Sequence, residues 1–412
     1  MVTPELALAA ACCRRPSPER DAAVRAAAQS VDWTRFLLVL DCHRVDGLAH
    51  RALRAAGAPL PEAARAELAQ RAASIARGNL TLAAEAARLS ALFGEAGLPH
   101  LFLKGTALGL LAYGDLAPKH ARDIDLLVAP EDMAAASALL GREGYERLLP
   151  APELDDAALA RWVAAYKEVV WRHPAHGAIV ELHGAPVDNP RLLDGVDVHS
   201  PRQEVPIGGG LSLPTLRTDI LFAYLCVHGA GHGWSRLKWL ADVDALLGDG
   251  RHLEGWLREA ERLGAGHAAG QALLLCHRLF GRPLPDPLLT ELRRSPALRL
   301  LERVALRALG GGGGAVELDR RPRDTARIML SHFLLGGWAY RAAEFRRKLV
   351  HPHDRAHIAL PRALHWLYPL LLIPGWQVRR AARVRQGKLA TVANSSAISQ
   401  PTTSRPPTRT QT

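Results

Sequence analysis

Cysteine and lysine are scarce in this chain of 412 residues, and both shortages limit what it can be. The cysteines (Cys12, Cys13, Cys42, Cys226 and Cys276) are odd in number, scattered and without metal-site spacing. They predict reduced thiols rather than a disulfide framework. Only six residues are Lys, so nearly all of the basic residues are Arg, in a chain that is also rich in Ala. This composition is typical of a GC-rich genome and does not by itself indicate nucleic-acid binding.

The chain also lacks a long apolar segment. Its longest apolar run, from Trp366 to Trp376, is interrupted by prolines and is shorter than the about 20 residues that cross a bilayer. The first residues include an acidic one and no basic start, so they do not resemble a signal peptide. We therefore expect a cytoplasmic protein, either soluble or peripheral at the inner membrane surface.

The formal net charge of +11 is concentrated at one end of the chain. From residue 341 onward 13 basic residues stand against two acidic ones, whereas residues 1–340 carry 39 of each sign. A neutral body argues against nucleic acid as the main partner. The basic end also contains Trp and Tyr, which favours contact with an anionic membrane surface; a docked arm with a solvated basic face is the alternative.

Hydrophobic periodicity and breaker residues predict an α+β fold. Residues 1–95 have helical patterns and look like a lead-in without chemistry. Residues 96–212 alternate short strands with helices, which predicts a small mixed β-sheet core. Residues 213–310 return to helical periodicity and predict a C-terminal helical domain.

The remainder of the chain begins with a run of glycines at 310–314, which predicts a hinge. A basic amphipathic arm follows at 315–390, with one helix expected around residues 324–350. The Ser, Thr and Pro composition of residues 391–412 predicts a disordered tail.

Two aspartates, Asp123 and Asp125, are the most informative residues. Alternation places Ile124, Leu126 and Val128 on one face of a strand, so both carboxylates point from the other face. Paired like charges at the end of an apolar strand are costly without a cation between them. The sequence therefore predicts a divalent-metal site.

A turn that can hold phosphate precedes these aspartates. Lys104, Gly105 and Thr106 follow a short apolar strand and precede a helix, so they offer backbone N–H groups and a hydroxyl to an anion. Such a tripeptide alone is also typical of an ordinary glycine turn. With Asp123 and Asp125 at 18 and 20 positions after Gly105, the joint pattern favours a nucleotide site.

These motifs resemble the nucleotidyltransferase superfamily, the group of DNA polymerase beta-like enzymes, in which a strand, a glycine turn and a helix precede Asp-x-Asp. More narrowly, the chain resembles the bacterial family of uncharacterised nucleotidyltransferases over roughly residues 95–300. The matching motifs, in order, are Lys104-Gly105, Leu108, Tyr113, Asp123 to Val128, Gly144-Tyr145, Glu181-Leu182-His183 and His228…Trp239…Asp242.

The resemblance implies three carboxylates that hold two Mg²⁺ ions, and transfer of a nucleotidyl group from a nucleoside triphosphate such as ATP to an acceptor hydroxyl. Asp123 and Asp125 would be metal ligands, and Gly105 with Thr106 would contact phosphate. The acceptor would be a small molecule or a protein.

Basic residues near the turn would offset the charge of the triphosphate. Lys104 and Lys119 are the candidates, together with Arg122 beside the first aspartate. Lys119 stands where relatives commonly have Arg, and Gly-Thr replaces the Gly-Gly or Gly-Ser of the superfamily.

Glu181 is the candidate for the third carboxylate, on a strand predicted around residues 178–183. Alternation does not show that its face is the face of the aspartates, and an exposed Glu on an edge strand is the alternative. His183 shares the face of Glu181, where it could orient that residue, contact a phosphate or end the strand.

His228 and His232 stand four apart, a helical spacing that zinc ligands also use. No third ligand is evident, so we expect them to line a cleft near Arg236 and Lys238 and to contact nucleotide or acceptor; helix packing is the alternative. Two other functions stay open. One is transfer of a different phosphoryl-type group by the same site, and the other is a non-catalytic nucleotide-binding or partner protein.

Overall fold

The computed structural model describes residues 3–150, 162–163, 166–349, 360–361, 364 and 367. The chain divides into two compact units, Met1–Arg347 and Lys348–Thr412. The predicted tail at 391–412 and most of the predicted basic arm lie outside the described residues.

The N-terminal region is helical, as the sequence predicts. Thr3, Ser17 and Asp32 begin three of its helices, because their side chains accept hydrogen bonds from backbone N–H groups of the first turn. The helices are α1 (Pro4–Cys12), α2 (Pro18–Ala27), α3 (Trp33–His43), α4 (Asp46–Ala56) and α5 (Glu62–Glu95). Their buried apolar side chains belong to the same hydrophobic core as those of the later helices.

A five-stranded mixed sheet follows, with the strand order β1-β2-β5-β4-β3. Its strands are β1 (Leu101–Phe102), β2 (Ile124–Leu127), β3 (Glu146–Leu149), β4 (Glu168–Arg172) and β5 (Ile179–His183). Strands β2 and β5 are parallel, and the other neighbours are antiparallel. Helix α6 (Gly105–Tyr113) connects β1 to β2, and α7 (Met133–Arg142) lies between β2 and β3. This small mixed sheet among helices confirms the predicted α+β class.

A hairpin that the sequence analysis did not identify packs against the sheet. Strands β6 (Arg202–Gly208) and β7 (Leu211–Leu216) meet at three glycines, Gly208, Gly209 and Gly210, which all have positive φ. The Thr215 hydroxyl donates a hydrogen bond to the Phe102 carbonyl over 2.6 Å. The hairpin therefore fixes β1 just before the phosphate turn.

The following region is helical, as predicted. Its helices are α8 (Thr218–Gly231), α9 (Leu237–Leu246), α10 (Leu253–Arg262), α11 (Gly266–Phe280), α12 (Asp286–Arg294) and α13 (Pro296–Gly310). Helix α8 is buried along nearly its whole length, which places it at the centre of the core.

The glycine run after α13 does not separate two bodies. Gly313 has φ of 71°, and a Cβ there would lie 1.9 Å from a guanidinium nitrogen of Arg35, so the run turns tightly against the N-terminal helices. It lies inside the unit Met1–Arg347, so the structure does not divide the chain at the predicted hinge. The other domain boundaries stay predictions.

The single helix predicted around residues 324–350 is wrong. The structure has two helices there, α14 (Pro322–Ser331) and α15 (Trp338–Leu349), separated by a 3₁₀ turn at His332–Leu334. Gly336 and Gly337 follow that turn, and glycine disfavours the helical conformation. Within the described part of the chain, every helix is too short or too polar to cross a membrane.

Candidate active site

The register of the two parallel strands decides which way Glu181 points. Asp125 on β2 is paired with Glu181 on β5, and Ile124 is paired with Val180. Paired residues on neighbouring strands share a face of the sheet, so Glu181 and Asp125 point to the same side. Glu181 and Asp125 therefore share a face of the sheet, which alternation alone did not decide.

His183 joins these two carboxylates in a compact cluster. Ligand atoms of Asp125, Glu181 and His183 all lie within 4.8 Å of one another. His183 Nε2 is 3.3 Å from Asp125 Oδ1 and 3.7 Å from Glu181 Oε2. Two carboxylates and an imidazole are a donor set that binds divalent cations.

One atom of the cluster is buried without a partner. Asp125 is 2% exposed, and its Oδ2 accepts no hydrogen bond from any residue that the structure describes. A buried carboxylate oxygen without a partner is costly, because it has lost its water. The three side chains could therefore bind a cation next to Asp125 Oδ2.

Asp123 lies outside this cluster. It is half-buried and lines a cavity next to the cluster. Burial raises the pKa of its carboxyl group, and the neighbouring charge of Asp125 raises that pKa further. The structure thus groups His183, rather than Asp123, with Asp125 and Glu181, and the metal-ligand role of Asp123 stays a prediction.

Lys104 contacts the cluster directly. Its Nζ lies 2.7 Å from Asp125 Oδ1. Burial raises the pKa of Asp125, but the charge of Lys104 and the hydrogen bond to His183 outweigh it, so the net pKa lies below the ordinary value. Asp125 is therefore ionised at neutral pH.

The turn after Lys104 has the conformation that glycine favours. Gly105 has φ of 60°, and a Cβ there would lie 3.5 Å from the backbone oxygen of Asp123. Both Lys104 and Gly105 line the cavity. Thr106 is buried and is not among the lining residues, so the structure does not bring its hydroxyl to the predicted phosphate site.

The cavity has a volume of about 380 Å³, within the range of small-molecule sites. Its lining comes from stretches that are far apart in the chain. The polar lining residues include Arg44, Lys104, Lys119, His120, Asp123, Lys167, Glu168, Glu181, Asp188, Asn189, His228, His232, Arg236, Lys238, Asp242, Glu344 and Arg347.

Lys119, a predicted phosphate ligand, forms a buried ion pair. Its Nζ lies 2.7 Å from Asp242 Oδ2, and the Tyr113 hydroxyl donates to Asp242 Oδ1 over 2.9 Å. The pair joins the segment before β2 to helix α9. Two residues of the family-like motifs, Tyr113 and Asp242, thus contact each other, and Lys119 contacts Asp242 as well.

Two other cations of the cavity, Arg44 and Lys238, form no ion pair with any described residue. Burial, followed by the charge of Lys119, lowers the pKa of Lys238 to about 7. Burial also lowers the pKa of Arg44 to about 10, with Arg236 contributing next. This end of the cavity therefore has positive charge that an anion would neutralise.

Arg122, the other predicted phosphate ligand, is exposed. Its Nε donates to His120 Nε2 over 3.1 Å, and it is not among the lining residues of the cavity. The side chain of Arg44, rather than that of Arg122, lines the cavity.

His228 and His232 both line the cavity, as predicted. The rings of His232 and Trp239 are stacked, with centroids 4.6 Å apart and planes 12° apart. Among the residues that the structure describes, no further His, Cys, Asp or Glu completes a metal site with this pair. Zinc binding by the two histidines is therefore not supported.

Glu168 and Lys167 also lie at the site, although no sequence motif pointed to them. Glu168 is paired with His183 across the antiparallel strands β4 and β5, and its Oε2 is 3.6 Å from His183 Nδ1. Lys167 Nζ lies 3.0 Å from the same carboxylate. The register of β4 against β5 brings Glu168 to the site, and no local sequence pattern shows that register.

The N-terminal region, residues 1–95, contributes to the cavity. Arg44 follows the C-terminus of α3 with φ of 55°, a left-handed conformation that is uncommon for residues other than glycine, and it lines the cavity. Helix α5 supplies Asn79, which donates hydrogen bonds to the carbonyls of Leu116 and Lys119. The N-terminal helices therefore help to build the site.

The last wall of the cavity comes from residues 332–347. Glu344 on α15 is 1% exposed and accepts hydrogen bonds from Asn189 over 3.1 Å and from Arg347 over 2.7 Å. Tyr340 is 5% exposed and lines the same wall. No sequence motif pointed to this segment.

Comparison with known proteins identifies a family for this chain. No curated protein matches the chain. The sequence model of a family described as uncharacterised nucleotidyltransferase matches residues 29–281. This span is more than half of the chain, and it includes Arg44, the Asp125–Glu181–His183 cluster and Lys238. The protein therefore belongs to the uncharacterised nucleotidyltransferase family and is a transferase enzyme.

Proposed function

We propose that this protein transfers a nucleotidyl group from a nucleoside triphosphate to an acceptor hydroxyl, with Mg²⁺ as the divalent cation. One arrangement supports the proposal. A single cavity lies beside the Asp125–Glu181–His183 cluster and contains the unpaired cations Arg44 and Lys238. The carboxylates of the cluster suit the metal ion of a metal-bound triphosphate, and the two cations suit its phosphate groups.

Asp125, Glu181 and His183 would hold the metal, through Asp125 Oδ2 among other atoms, and Asp123 would complete a two-metal site. A bound cation would lower the pKa of the acceptor hydroxyl and neutralise charge on the phosphoryl oxygens. Lys104 keeps Asp125 ionised and so keeps it able to bind metal.

Arg44 and Lys238 would bind the phosphate oxygens, where charge rises in the transition state. Their positions are fixed before substrate arrives, since one follows α3 and the other lies in α9. The ion pair between Lys119 and Asp242 would hold α9, which carries Lys238, against the segment before β2. The acceptor, a small molecule or a protein, would enter between the sheet and the helices that follow residue 215.

Radiolabelled nucleotides, incubated with the protein, Mg²⁺ and cell extract, test this function. Label on the α-phosphate should be transferred to an acceptor. Asp125→Asn and Glu181→Gln should each reduce that transfer on the order of 100-fold or more, because each removes a charge from the metal cluster. Asp188→Asn, which changes a carboxylate of the cavity outside the cluster, is the matched control and should retain most of the transfer.

Other results would contradict the proposal. Transfer of label from the γ-phosphate would indicate a kinase-type reaction in the same site. Nucleotide binding without any transfer, unchanged when Asp123 and Asp125 are both replaced by Ala, would indicate a binding protein. The purified protein should also bind Mg²⁺ more weakly after Asp125→Asn, measured by calorimetry.

A further inference from the structure

Four side chains form a ring cluster on one wall of the cavity: His228, His232, Arg236 and Trp239. His232 stacks on Trp239, with ring centroids 4.6 Å apart. His228 lies edge-on to His232 at 4.6 Å and to Trp239 at 6.0 Å. The guanidinium carbon of Arg236 is 5.6 Å from the centre of the Trp239 ring.

The turn between α8 and α9 holds this ring cluster in place. Gly233 and Trp234 are consecutive residues with positive φ, of 59° and 50°. Trp234 is fully buried against Gly229, where a Cβ would lie 2.3 Å from its ring. A non-glycine residue in this conformation is costly and persists where the surroundings fix it, often at a functional site.

Core packing accounts for only part of the ring cluster, because Trp239 packs against the hydrophobic core but also lines the cavity. His232 is exposed, and His228 and Trp239 are half-buried and line the cavity. Lys238, one of the two unpaired cations, precedes Trp239 in the same helix and lines the same cavity. The rings of the cluster therefore lie in the same cavity as Lys238, which forms no ion pair with any described residue.

We infer that the ring cluster is the platform on which the nucleobase stacks, an inference that rests on the proposed function. Every base has a flat face that stacks on aromatic rings, and a guanidinium plane adds to such a platform. Purines offer more ring area than pyrimidines, so the site binds ATP and GTP more tightly than CTP and UTP.

Calorimetry on the full chain with Mg²⁺ tests this inference, with the four nucleoside triphosphates and inorganic tripolyphosphate as ligands. Tripolyphosphate has the charges but no base. His232→Ala should raise the Kd for ATP about tenfold, as loss of one stacking partner does, and should leave the Kd for tripolyphosphate unchanged. Trp239→Ala should likewise raise the Kd for ATP and leave the Kd for tripolyphosphate unchanged. Circular dichroism checks that the variant is folded.

Trp256→Ala is the matched control. Trp256 also stacks on a histidine, His252, with planes 14° apart, but neither residue lines the cavity. This variant should bind ATP like the wild type.

The results separate the two claims. If the wild type binds neither ATP nor tripolyphosphate, the proposed function fails and the base platform fails with it. If both bind, and His232→Ala leaves the ATP affinity unchanged or weakens both ligands equally, the base platform is wrong and the phosphate site stands. Binding of all four nucleotides no tighter than tripolyphosphate would also overturn the platform.

Discussion

Lys238 is half-buried in a cavity that also contains Lys119 and Arg44, and this burial lowers its pKa to about 7. In the free protein at pH 8 most molecules therefore have a neutral Lys238. A bound polyanion favours the charged form, so binding should take up protons and should weaken as the pH rises through 7.

Calorimetry of tripolyphosphate binding at pH 8, in buffers of different ionisation enthalpy, measures this proton uptake. We expect an uptake of up to about one proton in the wild type and almost none in Lys238→Met. Lys167→Met is the control, since Lys167 is paired with Glu168, and it should retain the uptake. Equal uptake by the wild type and Lys238→Met would show that another group titrates.

At this scale, the sequence predicted Asp125, Glu181 and Lys238 because each belongs to a recognisable local pattern. It did not predict that Arg44 and Glu168 reach the site. Arg44 lies 60 positions before Lys104 and depends on a left-handed residue after α3. Glu168 depends on strand register, which is set by long-range packing.

The segment between α6 and β2, residues 114–123, is held by one side chain of α5. Asn79 is 4% exposed, and its amide donates to the carbonyls of Leu116 and Lys119 over 2.6 and 2.5 Å. Asn79→Ala would leave both carbonyls without this donor. We expect it to reduce the free energy of unfolding by about 1–3 kcal/mol, measured by urea denaturation.

Thr81→Ala, two residues along the same helix, is the control for this measurement. The Thr81 hydroxyl donates to Arg77 in an exposed part of α5, so its loss should change stability by less than about 0.5 kcal/mol. If Asn79→Ala and Thr81→Ala reduce the free energy of unfolding equally, the loss comes from a change in helix α5 and not from the hydrogen bonds to residues 114–123.

Among elements, the sequence predicted the strands of the mixed sheet and the helices around them, because apolar alternation and glycine turns are local signals. It did not predict the strands β6 and β7. Pro206 and Pro214 lie in these strands, and proline argues against a strand when neighbours are unknown.

The unit Met1–Arg347 as a whole presents an exposed aromatic face on α15. Trp338 is 84% exposed and Phe345 is 55% exposed, seven residues apart on one side of that helix, and Arg341 beside them is also exposed. Aromatic and basic residues together favour an anionic lipid surface, so we expect the protein to sediment with anionic vesicles and less with neutral ones.

Replacing Trp338 and Phe345 together by Ser should weaken vesicle binding about tenfold or more, because it removes the apolar contacts. Leu38 and Leu80, exposed at 56% and 61% on other helices, give the matched double Ser control, which should bind as the wild type does. Binding that is equal for both double variants would place the lipid contact elsewhere.

For the whole molecule, the sequence predicted a sheet-based core flanked by helices, because the motifs of the core are contiguous. It could not show that the N-terminal helices and residues 310–347 contact this core. The packing of the glycine run against α3 and the hydrogen bond from Asn189 to Glu344 join residues far apart in the chain, and composition shifts suggested boundaries instead.

The wall made by Tyr340 and Glu344 lies beyond the family-matched span, which ends at residue 281. A recombinant fragment cut to that span would lose one side of the pocket, and Asn189 would lose the carboxylate that it contacts. Expression of the matched segment alone would therefore give a misleadingly inactive preparation, and assays should start from material that extends at least through Arg347.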